Sequence, residues 1–128
     1  MRVFALCVLQ FTALAAQATC MFARDTKPQD WYQWAEVLVA GDVASVEARG
    51  SVDLVSLHVV ETFKGPGGVQ TATLEIPQKL WNTCRIERPL PGDRVLGALN
   101  ANNDALLVPL DAAYTERLRE IGVRALNK

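Results

Sequence analysis

The stretch from Ala35 to Gly65 most constrains what this chain can fold into. It begins Ala35-Glu36-Val37-Leu38-Val39-Ala40-Gly41-Asp42-Val43, turns at Arg49-Gly50-Ser51, and resumes from Val52 to Phe63 before Lys64-Gly65-Pro66 stops it. Runs rich in β-branched and apolar residues, bounded by turn residues, predict two long antiparallel strands over Glu36–Ala48 and Val52–Phe63. The unbroken apolar run Val37–Ala40 predicts burial on both faces at that end. Gly41 falls inside the first strand, where a glycine marks a bulge or a sharp bend of the kind that closes a small barrel. In the second strand Val55, Leu57, Val59 and Phe63 share one face, and Ser56, His58 and Thr62 the other. The carboxylates Asp42, Glu47, Asp53, Glu61 and Glu75 are scattered, as solvent-facing strand charges are.

The remaining segments fit around that hairpin. Pro28–Ala35 predicts a short helical turn, with Trp31 and Trp34 three apart on one face. Gln70–Ile76 alternates cleanly and predicts a third strand, after the break at Gly65-Pro66-Gly67-Gly68. Gln78–Pro91 is expected to be irregular. Arg94–Leu99 and Ala105–Leu110 predict a second hairpin across Asn100–Asp104, whose residues tolerate left-handed turns. Asp111 is a suitable N-cap for a helix over Ala112–Ile121, with Gly122 as its stop and Val123–Leu126 adding at most one turn.

The first eighteen residues have a different character. Met1-Arg2 supplies a positive charge, Val3–Leu9 and Phe11–Ala16 are almost wholly apolar, and Ala16-Gln17-Ala18 offers the small residues of a cleavage site. This predicts a secretory signal over residues 1–18, leaving one exported domain over 19–128. The apolar stretch falls short of the ~20 residues that a membrane span needs. Lipidation at Cys20 is disfavoured, because Thr19 sits where such processing usually takes a smaller residue. Removing the signal removes Cys7 and leaves Cys20 and Cys84, a pair expected to form one disulfide in an oxidising compartment. Two such ligands do not close a zinc site, and no metal or other cofactor is expected. The remaining chain keeps 12 basic and 14 acidic side chains, a formal charge of −2, with no basic run. That disfavours nucleic-acid binding, which rests on phosphate neutralisation.

Five strands with a C-terminal helix point to a mainly β fold, a small five-stranded Greek-key barrel of the OB type. The order of the pieces adds a resemblance. A signal, a cysteine near the new N-terminus, the run Ala35–Val43, Phe63-Lys64-Gly65-Pro66, the mid-chain Cys84 and Pro91-Gly92-Asp93-Arg94-Val95-Leu96 follow one another as they do in a known group. The chain resembles the bacterial exported proteins similar to tissue inhibitors of metalloproteinases, in the netrin-like OB-fold group, over most of its length after the signal. In the inhibitors of that group the first residue is a cysteine whose amine and carbonyl chelate the protease's zinc. The resemblance therefore points to Cys20, with Thr19 in front of it, as the protease-zinc contact. Phe22 stands where the group has a second cysteine, so Cys20 and Cys84 match the structural tie better than the chelating wedge.

The expectation is a non-catalytic exported domain that binds a metalloprotease or another envelope protein or component. The alternative is a barrel that binds an oligosaccharide or another ligand. Trp31, Trp34 and Trp81 are its stacking candidates. Packing is the favoured reading of Trp31 and Trp34, because polar and basic residues do not interleave with them. No nucleophile elbow, phosphate loop, metal-ligand spacing or placed carboxylate pair argues for an enzyme.

Overall fold

The computed structural model describes residues 26–126. Thr19, Cys20, Phe22 and the expected signal lie outside the described residues.

Helix α1 spans Pro28–Trp34, with Pro28 in its first turn, where a missing N–H costs nothing. Strand β1 then runs Val37–Arg49 and β2 runs Val52–Lys64. Arg49 pairs with Val52 across a two-residue turn. Gly50 takes φ +58° there, in the place where a type II′ hairpin wants glycine. Strand β3 is Thr71–Pro77, and a short helix α2, Lys79–Thr83, follows. Strands β4 (Arg94–Leu99) and β5 (Ala105–Pro109) form the second hairpin, and helix α3 runs Ala112–Leu126. The fold is mainly β: one five-stranded antiparallel sheet in the order β3-β2-β1-β4-β5, with a C-terminal helix.

β1 is the shared strand. Its first half pairs with β4, from Val37↔Leu99 to Asp42↔Arg94, while its pairing with β2 extends from Leu38↔Lys64 to Arg49↔Val52. Leu38, Val39 and Ala40 are each at most 4% exposed, so both faces are covered at this end, as the unbroken apolar run implies. The β1–β2 register shifts at Leu38/Val39, Ala40/Gly41 and Val43/Ser45. Such irregularities sharpen twist and bend a strand. Gly41 sits at one of them, and a Cβ there would lie 2.8 Å from the His58 carbonyl oxygen. That neighbour is backbone and cannot rotate away. Gly41→Ala is expected to cost about 1–3 kcal/mol by overpacking, read as a lower denaturation midpoint with unchanged slope.

The sheet curls. A Cβ on Gly97 in β4 would lie 3.0 Å from Leu74 Cδ1 in β3 and 3.2 Å from Leu57 Cδ1 in β2. In the ladder, β3 is three strands away from β4, roughly 14 Å in a flat sheet. Only a curled sheet brings a leucine from one to within touching distance of the other. Inside the curl lie Val55, Leu57, Leu74, Ile76, Val95 and Leu107, all nearly buried.

Two local expectations change. Gln78–Pro91 is not wholly irregular. It contains α2, whose end is closed by Ile86 N donating to Trp81 O at 2.9 Å and Arg85 N to Asn82 O at 3.3 Å, with Arg85 at φ +54°. These are the bonds of a Schellman ending, with arginine in the place glycine usually takes. Nor does Gly122 stop the last helix. α3 runs through it, because Gly122 faces Tyr32: a Cβ there would lie 2.8 Å from the phenol oxygen. That oxygen donates to Leu118 O at 2.8 Å, so the glycine makes room for a tie between helices. The expected N-cap is present, with Asp111 Oδ1 accepting from Tyr114 N at 2.7 Å.

Candidate functional site

Asp53 is the most constrained ionisable residue of the described chain. It is 1% exposed, which corrects its reading as a solvent-facing strand charge. Parity on β2 explains this: Asp53 shares the inward face with Val55 and Leu57. Its carboxylate is fully used by the segment after β3. Trp81 Nε1 donates to Oδ2 at 2.8 Å and Arg88 Nε donates to the same oxygen at 2.8 Å. Gln78 Nε2 donates to Oδ1 at 3.1 Å, with Arg88 Nη2 reaching that oxygen at 3.4 Å. Hydrogen bonding from Arg88 is the main influence. With Trp81 and Gln78 it overcomes the effect of burial and holds the carboxyl below the usual range. A buried carboxylate held this way pins α2 and its exit to the β2–β3 hairpin. Cys84, 5% exposed, caps α2 within the pinned segment.

The other ion pairs also join elements. Arg94 Nε donates to Asp42 Oδ1 at 2.5 Å across the β1–β4 ladder, lowering the Asp42 pKa. Arg119 on α3 meets Glu61 on β2, with Nη2 to Oε1 at 2.7 Å, and also bonds Glu116 on its own helix. Both partners raise the Arg119 pKa. These exposed pairs orient more than they stabilise. Burial raises the Tyr32 and Tyr114 phenols above their ordinary value.

The tryptophans are not brought together. Trp31 and Trp34 meet edge to face on α1, with ring centroids 6.2 Å apart. Trp31 is 2% exposed and Trp34 half-buried. Trp81 belongs to α2 and is attached to Asp53 near the start of β2. α1 is instead attached near the end of β2, where Lys64 Nζ donates to Tyr32 O at 2.8 Å. Beside that contact lies a groove of about 540 Å³ between α1, β2 and α3, lined by Tyr32, Glu61, Phe63, Lys64, Arg119 and Val123 among others. Its apolar walls and few charged groups match the make-up of small-ligand sites. Sequence reasoning missed it, because its walls come from three elements distant in the chain.

His58 is exposed on β2. Among the described residues, no three His, Cys, Asp or Glu side chains gather as a metal site. No family model matches this chain, and no curated protein compared with it matches either.

Proposed function

We propose that this chain is a non-catalytic exported domain of the OB type that binds another protein or an envelope component. What supports the non-catalytic part is how the described carboxylates are used: Asp53 is taken up by Trp81, Gln78 and Arg88 in holding α2 to β2, and Asp42 and Glu61 pair with Arg94 and Arg119 across elements. The strand order supports the Greek-key reading, since β4 returns beside β1 after three consecutively paired strands. The curl that brings Leu74 and Leu57 onto Gly97 supports a barrel, with β3 and β5 as the strands that would close it.

The likeness to metalloprotease inhibitors is a narrower form of this proposal, and it turns on Thr19 and Cys20. N-terminal sequencing of the exported protein tests it. A start at Thr19 is expected and leaves no cysteine amine to chelate zinc; a start at Cys20 would favour the inhibitor. The Cys20–Cys84 disulfide belongs to the same proposal. Thiol titration of the denatured, unreduced exported protein is expected to find no free thiol, and two would remove the tie. Cross-linking in the export compartment followed by affinity capture tests binding itself. A saturable partner, displaced by untagged protein, is the expected result.

The Tyr32–Phe63–Val123 groove favours a second reading, a ligand-binding barrel. Tryptophan emission separates the two. It is expected to stay unchanged across a panel of oligosaccharides and single-stranded oligomers, and a saturable change would favour the ligand-binding reading.

A further inference from the structure

The two partners of β1 do not cover it equally. The β1–β4 ladder runs from Val37 to Asp42 and ends with Val43 N donating to Asp93 O at 2.9 Å and Gly92 N to Val43 O at 2.7 Å. There the chain makes a turn, with Asp93 N donating to Leu90 O at 3.1 Å, and Arg88 before it bonds Asp53 on the inward face, across from Ala48. From Ala44 to Arg49, β1 has only β2 beside it among the described residues. The two-residue turn makes Arg49 and Val52 a hydrogen-bonded pair. Alternation along the ladder then turns the N–H and C=O of Val46 and Ala48 away from β2. Ala44, Ser45, Glu47, Ala48 and Arg49 are all exposed, and three of them are small. The result is a strand edge of roughly 17 Å that β2 alone accompanies among the described residues, with small side chains apart from Val46 and the charged Glu47 and Arg49.

We propose that this edge, Ala44 to Arg49, receives an extended segment of a partner protein as an added antiparallel strand. The proposal rests on the protein-binding reading and names the surface used. Recognition would come from main-chain bonds to Val46 and Ala48, as in strand-addition complexes generally. Side chains would set the sequence. Glu47 and Arg49 share one face and are 64% and 65% exposed, with only a loose 3.6 Å contact between them. Opposite charges directly across a ladder favour pairing. The fitting segment therefore carries an acidic residue opposite Arg49 and, two residues later, a basic one opposite Glu47. Its C-terminal end reaches the Leu90–Asp93 turn, where Leu90 is 65% exposed and fits an apolar side chain. A second copy fits less well. Pairing centred on Ala48 runs into the Gly50-Ser51 turn of each copy after three residues, and pairing centred on Val46 sets Glu47 against Ser45 and Arg49 against Val43, with no opposite charge across the ladder.

The test uses the capped peptide Glu-Val-Lys-Val-Thr-Leu and its charge-swapped form, Lys-Val-Glu-Val-Thr-Leu, titrated into the isotope-labelled exported protein and followed by amide NMR. The first peptide is expected to shift the amides of Ala44–Arg49 and slow exchange at Val46 and Ala48. Ala48→Pro removes an outward N–H at an edge position where proline is tolerated. It is expected to weaken binding at least tenfold while the spectrum stays dispersed. The double variant E47K/R49E, which leaves the backbone alone, is expected to prefer the swapped peptide by at least threefold, so the test survives if the proline variant fails to fold. The proposal is overturned if neither peptide moves these amides, or if both proteins bind both peptides equally. It is also overturned if the same amides shift with protein concentration alone, which would make a second copy the occupant. A partner cross-linked in the export compartment that binds E47K/R49E as well as the parent protein would sink the edge and leave the binding-domain reading standing.

Discussion

Asp53→Asn is expected to destabilise the fold by about 2–4 kcal/mol, through lost bonds to a buried donor and a broken ion pair. The substitution keeps the shape and loses the chemistry. Both carboxylate oxygens accept, Oδ2 from Trp81 and Arg88 and Oδ1 from Gln78 and Arg88. An amide placed either way points an N–H₂ group at donors. The buried Trp81 indole is the group least able to turn to water, at 8% exposed. Arg88 is half exposed and recovers solvation, which holds the cost below that of a fully buried pair. The same residue sets a pH dependence. The Asp53 pKa is lower folded than unfolded, so its contribution is complete above about pH 4 and is lost as the pH falls through the folded value. Chemical denaturation across the acid range should show Asp53→Asn losing stability at neutral pH and showing a shallower acid decline than the parent. Equal slopes would mean that another carboxylate governs acid unfolding.

The second large effect tests the curl. Gly97→Val is expected to cost about 2–3 kcal/mol, because its branches would enter space held by Leu74 and Leu57. Leu74→Ala alone should cost about 3 kcal/mol through the cavity that it leaves. Together they should cost clearly less than the sum, since the valine fills part of the space that the leucine vacates. A double-mutant cycle measures that coupling between residues three strands apart in the ladder. Simple additivity would mean that the two side chains do not meet.

Much of the sheet was legible because alternation is a local signal. The spans of β1 to β5 follow the expected ones within a residue or so, and Arg94–Leu99 matches at both ends. The Asp111 cap was also legible, being a side chain acting three residues away. What escaped depends on partners far along the chain. Asp53 lay on the apolar face by parity, yet nothing local said that Trp81 and Arg88 would come to it. Gly122 looked like a helix end because the phenol that it accommodates is ninety residues earlier. α2 has no side-chain cap and only one turn, so Gln78–Pro91 offered little periodicity to read. The groove beside Tyr32 exists only once three elements have met.

The ladder between β1 and β4 has a kinetic consequence. Each hairpin joins neighbours in sequence, but this ladder joins Val37 to Leu99 and Asp42 to Arg94. The loop between them must close before any bond in the ladder rewards it, and such closure slows folding. The two hairpins can therefore form early and wait for each other, with the docking of β4 onto β1 as the slow event. A defect at the β1–β4 seam, such as the Arg94–Asp42 pair, belongs in the folding rate. A defect at the far tip of the β1–β2 hairpin, formed before that event, belongs in the folding rate too, whereas contacts made only after docking belong in the speed with which the finished molecule opens.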